Sequence, residues 1–153
     1  MFLSEISKPF LPGIFLTVLL VALFEPTSGF CQLQGQEDVS AYVTVVPSNE
    51  KSNLDQRTRM MTSTADVTLT NTSERTLLSP LHAVIDTGEA QVSVPGALGG
   101  PGIGPYGKYY FDLSGTLPGG RLVQGQQVTF RIQFVRSAET RISYSIRIHS
   151  SLQ

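Results

Sequence analysis

The chain has 153 residues, room for one ordinary domain of ~100–200 residues. Its 11 Lys and Arg nearly balance 12 Asp and Glu, a net charge of -1, which argues against whole-protein attraction to nucleic acid or an anionic membrane surface. With 14 Gly, 9 Pro and no Trp, the composition favours a turn-rich β protein over a helical bundle.

The N-terminus reads as a separate object. A short polar segment with Lys8 precedes an apolar run over residues 10–24, and a turn-prone stretch, EPTSG, follows. That order matches a secretory signal peptide over residues 1–31. The run falls short of the ~20 apolar residues that span a bilayer, which favours a cleaved signal; an uncleaved membrane anchor is the alternative. Small residues at Thr27 and Gly29, or at Gly29 and Cys31, suit signal peptidase. Cys31 follows Phe30, with Ser28 three before it, which is unlike a lipid-attachment site. It is the sole cysteine, so the domain has no internal disulfide and its stability must come from its core.

Residues 32–38, QLQGQED, read as a flexible lead-in, and residues 39–150 as one β domain. VSAYVTVV alternates and ends at Pro47, so it is expected to be a strand, and PSNEKSNLDQ a loop. In RTRMMTSTADVTLTN, the residues Ala65, Val67 and Leu69 alternate with Asp66, Thr68 and Thr70, the period of a half-buried strand. Asn71-Thr72-Ser73 ends it, because Asn and Ser side chains bond nearby backbone in turns. The same triplet is an N-glycosylation sequon, the second reading. LLSPLHAVID is the next strand, bulged or at an edge near Pro80. EAQVSV reads as a short strand and KYYFDL as an aromatic one. Between them, PGALGGPGIGPYG reads as a loop, of which Gly96 to Gly107 is expected to be the most mobile internal stretch. VTFRIQF and RISYSIRI close the chain as strands joined by VRSAET, expected to pair as a hairpin. The sum is about seven strands and no helix: an all-β, two-sheet antiparallel β-sandwich.

Three stretches, VTLTNTSERTLLSPLHAVI, YYFDLSGTLPGGRLVQGQQVTFRIQF and ISYSIRI, carry a resemblance. They resemble Ig-like β-sandwich modules of bacterial secreted and cell-surface proteins. In those modules a strand ending in Asn-Thr-Ser precedes a strand near a Pro. A Tyr-x-x-Leu strand then precedes a Leu-x-x-Gly-Gln turn and an aromatic-ended strand. The matching positions here are Asn71, Thr72, Ser73, Pro80, Tyr110, Leu113, Leu122, Gly125, Gln126 and Phe134. The resemblance implies an Ig-like fold and an extracellular address, but no reaction. Such modules usually occur as accessories in longer proteins.

Motifs with chemistry are sparse. Gly102 to Gly107 formally matches G-x-G-x-x-G, but Pro105 interrupts it and an aromatic strand follows where nucleotide binding needs a helix. His82 and His149 are the only histidines and show no metal-ligand spacing. His82 and Asp86, with a Ser, could form a triad, but no nucleophile elbow accompanies them. Catalytic, cofactor and metal residues are therefore read as none. Strand parity points Val128, Phe130, Ile132 and Phe134 inward, and Ile142, Tyr144, Ile146 and Ile148 likewise. The outward parity carries Arg131, Gln133, Arg141 and Arg147, a candidate ligand face, since Arg binds carboxylates bidentately. The other explanation is a solvated sheet face whose arginines meet Asp or Glu from a neighbouring strand. The expected role is non-catalytic: a bacterial module, secreted, periplasmic or on the cell surface, binding a protein or envelope glycan. A structural subunit of a larger surface complex is the alternative. No nucleic acid is expected as partner, and a membrane only through an uncleaved N-terminus.

Overall fold

A computed structural model describes residues 35–89 and 91–153. The expected signal peptide, with Cys31, lies outside them. The described chain forms nine strands: β1 (Glu37–Asp38), β2 (Val43–Asp55), β3 (Met60–Asn71), β4 (Leu77–Asp86), β5 (Leu98–Gly99), β6 (Tyr109–Asp112), β7 (Arg121–Leu122), β8 (Gln127–Ser137) and β9 (Ser145–Leu152). Short 3₁₀ turns are the only helical elements among the described residues. Two antiparallel sheets result. One runs β1-β9-β4-β6-β5, with β7 also on β4; the other runs β2-β3-β8.

The core lies between the sheets and follows strand parity. Val67 and Leu69 of β3, Leu81, Ala83 and Ile85 of β4, and Phe130, Ile132 and Phe134 of β8 are buried together with Ile148 of β9. Ile142, Tyr144 and Ile146 pack against this cluster while half-buried. Burying each such side chain contributes ~1.5–3 kcal/mol.

Four expectations need correction. The loop assigned to PSNEKSNLDQ is strand, because β2 runs on to Asp55 and pairs with β3 throughout. Ladder bonds use the backbone, so a polar sequence does not end a strand whose far half faces water. Asn49 and Glu50 stand against Ala65 alone, a bulge with Asn49 at φ 52. The described residues of EAQVSV do not form a strand. Val92 and Val94 are buried as the alternation implies, yet only Ser93 pairs, with Val135. The lead-in is pinned where it is described: β1 pairs with β9, and Gln36 Nε2 donates to the Pro80 carbonyl at 2.8 Å. Gln153 likewise exchanges backbone hydrogen bonds with Thr76, so this third correction, to the expected domain bounds, applies past residue 150 as well.

The fourth correction moves the most residues. β8 and β9 do not form a hairpin. β8 pairs with β3 in one sheet, and β9 pairs with β4 in the other. Residues 138–144 cross between them. Identical inward parity is what two strands facing each other across a core also require, so alternation could not tell the two cases apart. Pro80 lies in the register shift between Leu78 and His82, so the bulge is seen, within a central strand.

Candidate functional site

The turn after β3 explains its own sequence. Asn71 is fully buried. Its Nδ2 donates to the carbonyls of Arg75 at 2.7 Å and Leu122 at 2.8 Å. Its Oδ1 accepts from Ser73 N–H at 3.0 Å and Ser73 Oγ at 2.9 Å. Its backbone accepts from Gly125 and donates to Gln126. Both amide hydrogens are committed, so Asn71 has a structural job and no room for a glycan in the folded state.

The four candidate ligand residues are not one face. Arg131 and Gln133 lie on the outer side of the three-stranded sheet, Arg147 on the outer side of the other, and Arg141 in the crossing segment. Arg131 Nε donates to Asp66 Oδ1 at 2.8 Å, the neighbouring-strand neutralisation foreseen as one explanation. This bond, with a second from Asn49 Nδ2 at 3.0 Å, holds the Asp66 carboxyl below its ordinary pKa. Arg131 and Gln133 do share a surface. Ser48, Asp66 and Arg131 form one cross-strand row, and Lys51, Thr64 and Gln133 the next. Asn49, Lys51, Thr64, Asp66 and Arg131 border a hollow of about 330 Å³ there.

A polar row missed by the sequence crosses the other sheet. Asp38 stands opposite His149, His149 opposite His82, and His82 opposite Asp112, so the four side chains share the face away from the core. The Gly/Pro loop covers that face. Tyr106 from the loop packs on His82, Tyr110 and His149, with ring centroids 5.7, 5.3 and 4.8 Å away. The loop is tied internally as well: Gly102 N–H donates to the Gly107 carbonyl, and Ile103 N–H to that of Gly100. Gly99, at φ 67, lies so close to the Lys108 carbonyl that a Cβ would sit 2.8 Å from its oxygen. The expected mobile loop is thus docked. A lone Tyr among Gly and Pro was the available signal.

The hydrogen-bond network assigns the His82 tautomer. Gln36 uses Nε2 on Pro80, leaving Oε1 to accept from Tyr106 OH at 2.7 Å. The phenol proton is spent, so His82 Nδ1–H donates to Tyr106 Oη at 2.7 Å. His82 Nε2 then carries a lone pair toward Asp112 Oδ1, 3.8 Å away. Burial lowers the pKa of His82, against the pull of Asp112, and lowers that of His149. Burial also raises the Tyr106 pKa to about 12. At neutral pH the row is a neutral imidazole pair between two carboxylates.

The contact order is unlike a nucleophilic triad. Ser114 Oγ bonds Asp112, and Asp112 faces His82, so the imidazole does not touch the hydroxyl it would have to deprotonate. Asp86, the carboxylate suggested for His82, pairs instead with Lys108. Among the described residues no group of three or more His, Cys, Asp or Glu could hold a metal ion. Comparison with protein-family models, with curated proteins and with solved structures gave no match.

Proposed function

We propose that the chain is an exported, non-catalytic Ig-like β-sandwich module that binds an acidic partner, a protein or an envelope glycan, at the bacterial cell surface. The Ig-like assignment is supported by the turn residues of the resemblance. Asn71, Ser73, Leu122, Gly125 and Gln126 come from distant stretches and meet in one hydrogen-bonded knot.

The binding role rests on the outer face of the three-stranded sheet. Both Asp66 oxygens are occupied, by Arg131 Nε and Asn49 Nδ2, which holds the guanidinium in place while its two terminal nitrogens have no partner among the described residues. Lys51 borders the same hollow and makes no ion pair among them. Two cations against one saturated carboxylate leave a net positive site for a carboxylate or sulfate, which Arg grips with two parallel hydrogen bonds. The test is retention of the purified protein on immobilised polygalacturonate against a neutral glucan. Retention that falls with salt, and falls again in Arg131→Gln and Lys51→Gln, is the expected result. Equal retention of parent and variants contradicts the reading.

A second reading, a structural subunit that lends strand edges to a larger surface assembly, is favoured by the open edge of β9.

A further inference from the structure

β9 and the four residues before it form one extended run. Arg141, Ser143, Ser145 and Arg147 are exposed, while Ile142, Tyr144 and Ile146 are half-buried toward the core. That is strand periodicity. Yet among the described residues no hydrogen bond engages the backbone of residues 141–144, and the β4 ladder stops at Ser145.

The neighbouring bonds give the direction of those free groups. The Ile148 carbonyl accepts from Val39 N–H at 2.7 Å, and Ile148 N–H donates to Ser40 Oγ at 2.9 Å. The backbone of Ile148 therefore points to the β1 side. Every second residue of a strand points its backbone to the same edge, so Ile146, Tyr144 and Ile142 do as well. β1 ends at Asp38, opposite His149, and nothing described pairs with the edge beyond it. Three N–H and C=O pairs stand ready for another strand.

The flanking side chains specify that strand. Inward positions are apolar. Outward, Arg141 and Arg147 form no ion pair among the described residues. An open edge is a template for pairing, and natural edges discourage wrong partners with charge. A second copy is such a wrong partner. Antiparallel self-pairing centred on Tyr144 sets Arg141 of one copy opposite Arg147 of the other, and in-register parallel pairing sets each arginine beside its counterpart. Like charges directly opposite are unfavourable in both. Carboxylates at those positions convert the repulsion into attraction.

We propose that the β9 edge, over residues 141–147, accepts by strand addition an extended segment of another polypeptide in which apolar side chains alternate with carboxylates. This surface lies on the other sheet from the Lys51 and Arg131 hollow and acts whether or not that hollow binds. The probe is a short capped peptide alternating valine and glutamate, with a lysine-for-glutamate counterpart as control. Addition of the glutamate peptide to the purified protein should slow amide exchange at Ile142, Tyr144 and Ile146 by about tenfold or more. Arg141→Glu with Arg147→Glu should weaken the glutamate peptide by at least about tenfold and admit the lysine peptide. Arg131→Gln should change neither, which separates this surface from the sheet face. Exchange at Ile142 and Tyr144 already slow without peptide, or peptide binding indifferent to the double charge reversal, overturns the proposal.

Discussion

Asn71→Ala removes four hydrogen bonds with one side chain. Two carbonyls, Arg75 and the buried Leu122, lose their donor, and Ser73 loses the acceptor for its N–H and its hydroxyl. The Ser73 hydroxyl can turn to the Arg75 carbonyl, 3.4 Å away, so two groups, the Leu122 carbonyl and the Ser73 N–H, are left short. A polar group stranded on burial costs ~1–3 kcal/mol. At the low end of that range the sum is about 2 kcal/mol, a sizeable share of the ~5–15 kcal/mol that holds a domain folded. A domain of this size loses about 4 °C in Tm per kcal/mol, so a drop of roughly 8 °C is expected. Asn71→Asp keeps the acceptor but aims a buried carboxylate at two carbonyl oxygens, and the loss should exceed that of the alanine variant. Ser73→Ala breaks only the hydroxyl bonds and should cost about 1 kcal/mol. Urea denaturation followed by far-ultraviolet circular dichroism orders the three. A loss under about 1 kcal/mol for Asn71→Ala, or an aspartate variant no worse than alanine, would refute the view of Asn71 as the tie between the β3 turn and β7.

Acidification should weaken the fold through the histidine row. Burial sets the folded pKa of His82 and of His149 below the unfolded ~6.5, so the unfolded chain binds protons first. Stability is then full above about pH 6.5 and falls as pH drops below it; a His82→Gln, His149→Gln variant should lose that part of the pH slope, and an unchanged slope rejects the assignment. Tyr106→Phe keeps the ring contacts but strands Gln36 Oε1 and His82 Nδ1–H, and should speed exchange of the Gly102 and Gly107 amides; protection equal to the parent shows that the hydroxyl does not hold the loop. Arg141→Glu alone turns both like-charge pairs of the self-paired β9 register into attractive ones, so light scattering should show more dimer than in the parent, and no change counts against the open edge.

Strand parity was legible wherever one face meets the core: Val67 and Leu69, Phe130 and Ile132, and Ile148 all fall inward as alternation demands. What alternation cannot encode is the partner. β8 and β9 read as a hairpin because both are amphipathic and close in sequence, yet each pairs with a strand more than fifty residues away in the chain. That difference set Arg131 on one sheet and Arg141 and Arg147 on the run that enters the other. The second half of β2 was illegible for another reason. Beyond the end of the core neither of its faces is apolar, so strand pairing leaves no hydrophobic trace in Asn53 or Ser52. The histidine row was hidden because Asp38, His82, Asp112 and His149 sit on four strands and become neighbours only through register. Asn71 was readable in kind, as a turn, but not in degree. Its bonds to Leu122 and Gln126 depend on a turn some fifty residues further along the chain.

The proposed binding role rests on cations held on strands: Arg131 beside its saturated Asp66 partner, and Lys51, Arg141 and Arg147, which form no ion pair among the described residues. The most direct measurement is an NMR titration of the isotope-labelled protein with an oligogalacturonate and with the valine–glutamate peptide in turn. Binding at these two surfaces predicts saturable shifts confined to Lys51, Arg131 and Gln133 for the first, and to residues 141–147 for the second, with the His82 and Tyr106 signals unmoved in both. No saturable shift at either surface, or shifts centred on His82 and Tyr106, would contradict it.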